Sequence, residues 1–279
     1  MKKILVPTDF SEQAENALKV AVHLAKKYDS EIYLLHMLEL PIQEIDALST
    51  PSALPEAMFF MKLAEQKFEA LLSKSYLKDL RVKDIVKNFP SFSSVIDTCH
   101  EHDVDLIVMG SHGASGIKEM FIGSNAEKVV RTSDIPVLVI KGKHDNFNVK
   151  NFVFASDFKN DNNETYRQAT EFAQSLGAKI HLLMVNTAND FLSTSEAKNR
   201  IDNFTKEYDF KDYTIHIYND ESIEAGVFNF SKEIHADLIG ISTHGRQGIS
   251  RFFNGSIGED VVNHADLPVI TFKIKHSIV

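Results

Sequence analysis

Apolar residues along this chain follow two alternating rhythms. Short continuous runs, such as 3-KILVPT-8, 104-VDLIVM-109 and 136-PVLVI-140, are bounded by polar or turn-forming residues and predict buried strands. Longer stretches between them carry helical spacing. In 11–28, Ala14, Ala17, Leu18, Ala21, Leu24 and Ala25 fall three or four residues apart, and Ser11 is placed to cap the helix. The pattern continues as strand 31–37, helix 56–75, strand 82–88, helix 91–102, strand 104–109, a glycine-rich loop, helix 124–132 and strand 136–140. Such alternation predicts a parallel sheet with helices on both faces, the doubly wound α/β class.

The whole pattern then repeats. The start, 3-KILVPTDFSEQAENALKVAVHLAKKYDSEIYLLHM-37, has its counterpart in 150-KNFVFASDFKNDNNETYRQATEFAQSLGAKIHLLMV-185, with Asp9 opposite Asp157. The loop 112-HGASGIKEMFIGS-124 matches 244-HGRQGISRFFNGS-256, and 135-IPVLVIK-141 matches 267-LPVITFK-273. Strands are expected near 151–155, 179–185, 213–219, 237–241 and 268–273 in the second copy. That copy is shorter in its middle, where the first carries an insertion over 41–57. A period this long predicts two tandem domains rather than a solenoid, at 1–143 and 149–279, joined by the polar link 142–149. Pairing of strands 136–140 and 268–273 would make the chain an internal pseudo-dimer; a further homodimer is left open.

Composition narrows the class of function. The 279 residues are 43% hydrophobic and 25% charged, as in globular proteins, and the net charge of −9 argues against broad binding to nucleic acid or an anionic membrane. The single cysteine, Cys99, cannot close an internal disulfide. The apolar run at the N-terminus is too short for a signal-peptide core, and no stretch reaches membrane-spanning length. A cytoplasmic location is expected.

Candidate chemistry sits on two loops of each copy. In a doubly wound sheet, ligands bind beyond the carboxyl ends of strands where the winding reverses. One such loop is 6-VPTDFS-11, with Pro7, Thr8 and Asp9. The other, 110-GSHGASGIKEMFIGSN-125, holds Gly110, Gly113, Gly116 and Gly123 and leads into a helix starting at Ser124 and Asn125. Glycines allow close backbone approach, and a helix N-terminus offers free N–H groups and partial positive charge to a phosphate. A carboxylate at Asp9 repels phosphate and suits an amide, an adenine amino group or ribose hydroxyls. Each feature alone has an ordinary explanation: a glycine cluster is as often a tight turn, Ser124 a helix cap, Asp9 a turn residue. Their conjunction, and its recurrence in the second copy, points to a nucleotide. Neither GxxxxGK[ST] nor GxGxxG is present, so spacing alone stops short of naming the ligand.

The spacing Gly110-x-x-Gly113, nine residues, then Gly123-Ser124, resembles the nucleotide motif of the universal stress protein family, as do VPTDFS, IVMGSHG and IPVLVIK. The resemblance covers both copies. It implies a five-stranded parallel sheet of order 3-2-1-4-5 in each and binding of ATP or AMP, with Mg²⁺ as a companion of ATP. It places Asp9 at the adenine beside Pro7 and Thr8, with His36 and Met37 touching the base through their backbone. Met109 and Gly110 would flank the ribose, and Gly113, Gly123, Ser124 and Asn125 would hold phosphates. The second copy departs from the motif: Ser242 replaces the first glycine, Ala155 the proline, and Lys159 stands where the first has Ser11. A weakened or empty second site is therefore expected at Ser156, Asp157, Val185, Ser242, Gly245, Gly255, Ser256 and Ile257. No nucleophile pairs with a base by spacing, so no catalytic residue is assigned; by resemblance, slow ATP hydrolysis or autophosphorylation is the most chemistry to expect. The competing reading is a nucleotide-independent interaction scaffold.

Other signals are discounted. His100, Glu101 and His102 point in different directions on a helix and make no metal site. His112 and His244 could orient their loops or contact a ligand and are read as structural, and Cys99 is read as an inert core or boundary residue. The stripe Met58, Phe59, Met61, Leu63, Phe68 and Leu72 would suit a lipid or partner surface but is read mostly as core packing, although Met58 to Met61 is too apolar all round for a simple face.

Overall fold

A computed structural model describes residues 1–38, 54–88, 92–111, 124–144, 146–159, 163–206, 210, 212–243 and 267–274. The chain forms two compact units, Met1–Ile117 with Gly142–Asn146 and Lys118–Lys141 with Phe147–Val279.

The first unit runs β1 (Lys3–Pro7), α1 (Glu12–Tyr28), β2 (Glu31–Leu38), α2 (Leu54–Leu72), β3 (Val82–Asn88), α3 (Phe92–His102) and β4 (Leu106–Gly110). Its strands lie in the order β3-β2-β1-β4, all parallel. Successive residues Ile4, Leu5 and Val6 are all fully buried, as are Ile107 and Val108. Side chains alternate across a strand, so both faces of the sheet are covered, as the unbroken apolar runs require. Ser11 caps α1 by accepting from the Ala14 N–H, and Asp29 closes it in the left-handed conformation. Asp105, just before β4, ties the sheet together: its carboxylate accepts from the backbone N–H groups of Lys2 and Lys3 at 2.5 and 3.0 Å. Asp237 does the same for Lys150 and Asn151 in the second unit, at 2.8 and 2.9 Å.

Helix α2 ends at Leu72, short of the expected 75, because the chain turns inward. Lys74 Nζ and the Tyr76 hydroxyl donate to the two oxygens of Glu15 on α1, at 2.6 and 3.1 Å. The Lys74 ammonium holds the Glu15 carboxyl below its ordinary range, and burial pushes the Tyr76 hydroxyl up. The stripe on α2 corrects a sequence expectation. Ala64, Phe68 and Leu71 form its buried face, whereas Met58, Phe59, Met61 and Leu63 are exposed, Met58 and Phe59 by 67% and 63%. The apolar excess before Ala64 is surface, not core. Most of the insertion lies outside the described residues.

The second unit contains α4 (Ser124–Thr132), β5 (Val137–Ile140), β6 (Asn151–Ala155), α5 (Asn163–Leu176), β7 (Lys179–Asn186), α6 (Thr194–Thr205), β8 (Tyr213–Asn219), α7 (Ile223–Glu233), β9 (Leu238–Thr243) and β10 (Val269–Lys273). The strand order is β5-β10-β9-β6-β7-β8. Read as β8-β7-β6-β9-β10, the second repeat has the expected 3-2-1-4-5 order, all parallel. The sheet is nevertheless mixed, because β5 of the first repeat pairs antiparallel with β10, Val139 opposite Val269 and Val137 opposite Thr271. The expected pairing of 136–140 with 268–273 is therefore formed. Lys273 Nζ adds a bond to the carbonyl of Thr132 at the end of α4, at 2.9 Å, placing a cation at the negative end of that helix.

The two repeats fill their cores differently at one point. Gly240 on β9 leaves room for aromatic rings: a Cβ there would lie 2.5 Å from the Phe152 ring and 3.3 Å from that of Phe154. The first repeat has Val108 at the matching position, with Ile4 and Val6 on β1 in the places of Phe152 and Phe154. One large–small arrangement has replaced another at similar total volume.

Candidate functional site

The first candidate loop leaves the carboxyl end of β1 beside β4, since Ile4 lies opposite Leu106 and Leu5 opposite Ile107. A chain of short-range bonds fixes it. The Thr8 hydroxyl accepts from the Phe10 N–H at 3.0 Å, the Asp9 carboxylate from the Ser11 N–H at 3.0 Å, and the Ser11 hydroxyl from the Ala14 N–H at 3.2 Å. Phe10 takes a left-handed φ of 65° to make this turn. Such a conformation in an aromatic residue is costly and persists only where its surroundings enforce it. Its ring packs against His36 and Phe68, with centroids 4.6 and 5.0 Å apart, and Lys67 Nζ lies over it at 5.3 Å. His36, expected to act through its backbone, also uses its side chain. Its Nδ1–H donates to the Thr8 carbonyl at 2.8 Å. Periodicity could not reveal this bond, because it joins the ends of two neighbouring strands.

The structure thus brings Pro7, Thr8, Asp9 and His36 together at one end of the sheet, with Met37 following on β2 and Met109 and Gly110 ending β4. Asp9 is exposed, whereas Thr8, Met109 and Ser111 are buried. Gly110 proves to have a packing reason of its own. A Cβ there would stand 2.8 Å from the backbone oxygen of Gln13, so the missing side chain admits helix α1. Gly113 and Gly123 lie outside the described residues. Ser124 and Asn125 begin α4, with Asn125 exposed.

The second repeat copies the turn and alters its chemistry. The Ser156 hydroxyl accepts from the Phe158 N–H at 3.1 Å, the Asp157 carboxylate accepts from the Lys159 N–H at 3.3 Å, and Phe158 again has a left-handed φ, 51°. Here the aromatic ring is buried against Phe204. Lys159 Nζ forms an ion pair with Asp157 at 2.8 Å, while the matching Ser11 caps a helix. Ser242, at the position of Gly110, is buried, and its hydroxyl bonds that of Thr165 at 2.8 Å. Val185 is covered by α7, whose Gly226 backbone comes so near that a Cβ would meet the valine at 2.5 Å. Gly245, Gly255, Ser256 and Ile257 lie outside the described residues.

Among the discounted side chains, His112 and His244 lie outside the described residues, whereas Glu101 and His102 have ordinary partners. Glu101 pairs with Lys87 at 2.8 Å, and the His102 ring stacks on Tyr33 at 4.7 Å. Among the described residues no three His, Cys, Asp or Glu side chains converge, and no helix is long and apolar enough to cross a membrane.

Comparison with known proteins agrees with the duplicated architecture. The model of the universal stress protein family matches residues 1–141 and again 148–273. Universal stress protein MJ0577 of Methanocaldococcus jannaschii is 36% identical over 158 residues, covering 51% of this chain and 96% of that protein. Universal stress protein YxiE of Bacillus subtilis is 33% identical over 145 residues, covering 50% of this chain and 98% of its own. A solved universal stress protein from Archaeoglobus fulgidus matches the fold across 98% of both chains, with a TM-score of 0.69 at 22% identity. Two family matches in tandem, spanning almost every residue, make this chain a member of the universal stress protein family.

Proposed function

We propose that the chain is a cytoplasmic stress-response regulator that binds an adenine nucleotide, ATP or AMP, chiefly in its first repeat, 1–143. The observation that carries this reading is the turn at the carboxyl end of β1, where bonds from the N–H groups of Phe10, Ser11 and Ala14 fix Thr8, the exposed Asp9 and the cap of α1 beside β4. In the second repeat Lys159 is paired with the equivalent Asp157, and a carboxylate held by an ammonium group is a poorer acceptor for an adenine amino group or ribose hydroxyls. Phosphates would then fall to Gly113 and Gly123, and to Ser124 and Asn125 at the start of α4, where free N–H groups and the helix dipole favour anions. Mg²⁺ would arrive with the phosphates of ATP, its usual route into such sites. The second repeat, 149–279, would hold nucleotide weakly or not at all.

Mass spectrometry of the denatured protein should release an adenine nucleotide, and the emptied protein should bind ATP or AMP in calorimetric titration. Gly113→Ala should weaken that binding far more than Gly245→Ala. Equal losses would overturn the ranking of the sites, and no binding at millimolar nucleotide would leave an interaction scaffold as the function. That outcome would turn attention to the exposed Met58, Phe59, Met61 and Leu63 on α2. Freeing the second carboxylate should have the opposite effect: Lys159→Ser is expected to raise nucleotide binding by the second repeat, read in the Gly113→Ala background. Unchanged binding would show that the ion pair is not what disables that site.

A further inference from the structure

Strand β8 is the outer strand of the second unit, paired only with β7 among the described strands. Where it meets β7 and α7, two imidazoles and a hydroxyl form a tight triangle. Thr214 Oγ1 lies 2.9 Å from His181 Nδ1 and 2.8 Å from His216 Nε2, and the two ring nitrogens are 3.3 Å apart. His181 Nε2 reaches Asn151 Oδ1 at 3.3 Å, and the Asn151 amide nitrogen points to the His235 carbonyl at 3.5 Å. The Phe230 ring of α7 covers His216, with centroids 4.6 Å apart.

Hydrogen supply fixes the direction of this network. The His235 carbonyl can only accept, so the Asn151 amide donates to it and presents Oδ1 to His181. His181 must then carry its proton on Nε2, which leaves Nδ1 as an acceptor for the Thr214 hydroxyl. Thr214 Oγ1 in turn accepts from His216 Nε2–H. Every donor has one acceptor only when both rings are neutral or when the extra proton sits on His216 Nδ1, outside the chain of bonds. A proton on His181 Nδ1 breaks the network: two N–H groups whose nitrogens are 3.3 Å apart would then share Thr214 Oγ1, and the Thr214 hydroxyl proton would lose its acceptor on His181.

We propose that this cluster is an acid-sensitive latch: protonation of His216 is tolerated, and the following protonation of His181 releases strand β8 and helix α7 from the second repeat. The surroundings lean the same way. Burial disfavours the charged form of both rings, Lys179 on β7 repels a charge on either, and His216 repels one on His181. Asp212, before β8, and Glu233, on α7, oppose this more weakly. The first repeat has no such device. Tyr33 occupies the place of His181, and Lys83, in the place of Thr214, is paired with Glu31 at 2.8 Å. Because α7 also covers Val185, its release would uncover the carboxyl end of β7. The latch stands whether or not nucleotide binds.

The sign follows from linkage. Both imidazoles bind protons less readily folded than unfolded. Their contribution is fully present above the unfolded value, about 6.5, and is lost as the pH falls through that value toward the folded ones. NMR titration of the full chain from about pH 8 to about pH 5 tests this. The ring signals can be assigned with His216→Gln and His181→Asn. Both rings should titrate below about 6.5, His216 before His181, and the amide signals of β8 and α7 should lose protection in step with His181. The acid-induced fall in melting temperature should be smaller in His181→Asn than in the parent. Either ring titrating at or above its ordinary value, His181 titrating first, or β8 and α7 staying protected once His181 is charged would overturn the proposal. The wild-type titration decides it even if a variant fails to fold.

Discussion

Gly240→Val is expected to destabilise the second unit by about 1–3 kcal/mol, the usual cost of overpacking a close-packed core. The added Cβ would fall 2.5 Å from the Phe152 ring, which is fully buried and flanked by Phe154, itself 6.3 Å from Phe272 between centroids. The ring cannot swing aside without displacing those neighbours. The remedy is already written in the first repeat, where Ile4 and Val108 hold the matching positions. Phe152→Ile alone should also lose stability, by leaving a void beside Gly240. The double variant should lose less than the sum, with a coupling energy of about 0.5–3 kcal/mol, as for residues in direct contact. Denaturant melts of the four proteins measure it. Additive losses would mean that the two repeats do not solve the same packing problem at this point.

The second large effect should come from Gly110→Ala. The new methyl would press on the Gln13 backbone, 2.8 Å from its oxygen and 2.9 Å from its carbonyl carbon, and backbone yields less than a side chain. A loss of about 1–3 kcal/mol is expected, or a fall in melting temperature of roughly 2–4 °C for each kcal/mol. The displaced helix α1 begins at the turn held by Thr8, Asp9 and Ser11, so nucleotide affinity should fall along with stability. At this position the second repeat carries Ser242, whose hydroxyl bonds that of Thr165 on α5. A Gly110→Ala protein with unchanged melting temperature would show that α1 can shift freely, removing the packing reason for this glycine.

These two glycines show what could be read in the sequence and what could not. The alternation of strand and helix was legible because it rests on burial periodicity, and most elements begin and end within two residues of expectation. The repeat was legible because duplicated turns keep their residue types. The reason for Gly110 was not, since a motif position names a residue without naming the atom it avoids. The exposure of Met58 and Phe59 was only half legible, as a stretch too apolar all round for a simple face: an apolar run marks a face only where a neighbouring element is known. The His181–Thr214–His216 triangle escaped because it spans two strands, and register brings them together. Asp105 and Asp237 carried an available signal, an acidic residue two positions into each matching run, VDLIVM and ADLIGI, which spacing could have flagged as a shared clamp.

The antiparallel partnership of β5 with β10 has a consequence for synthesis. Val137–Ile140, four consecutive buried residues, leaves the ribosome well before its partner Val269–Lys273 exists. Until the end of the second repeat has been made, this apolar strand lacks the partner it has in the finished protein, and unpaired edges of this kind recruit other chains. Covalent linkage of the repeats supplies the missing strand at a high local concentration, in preference to one from another molecule. A chain cut between the repeats would keep the hazard and lose the remedy.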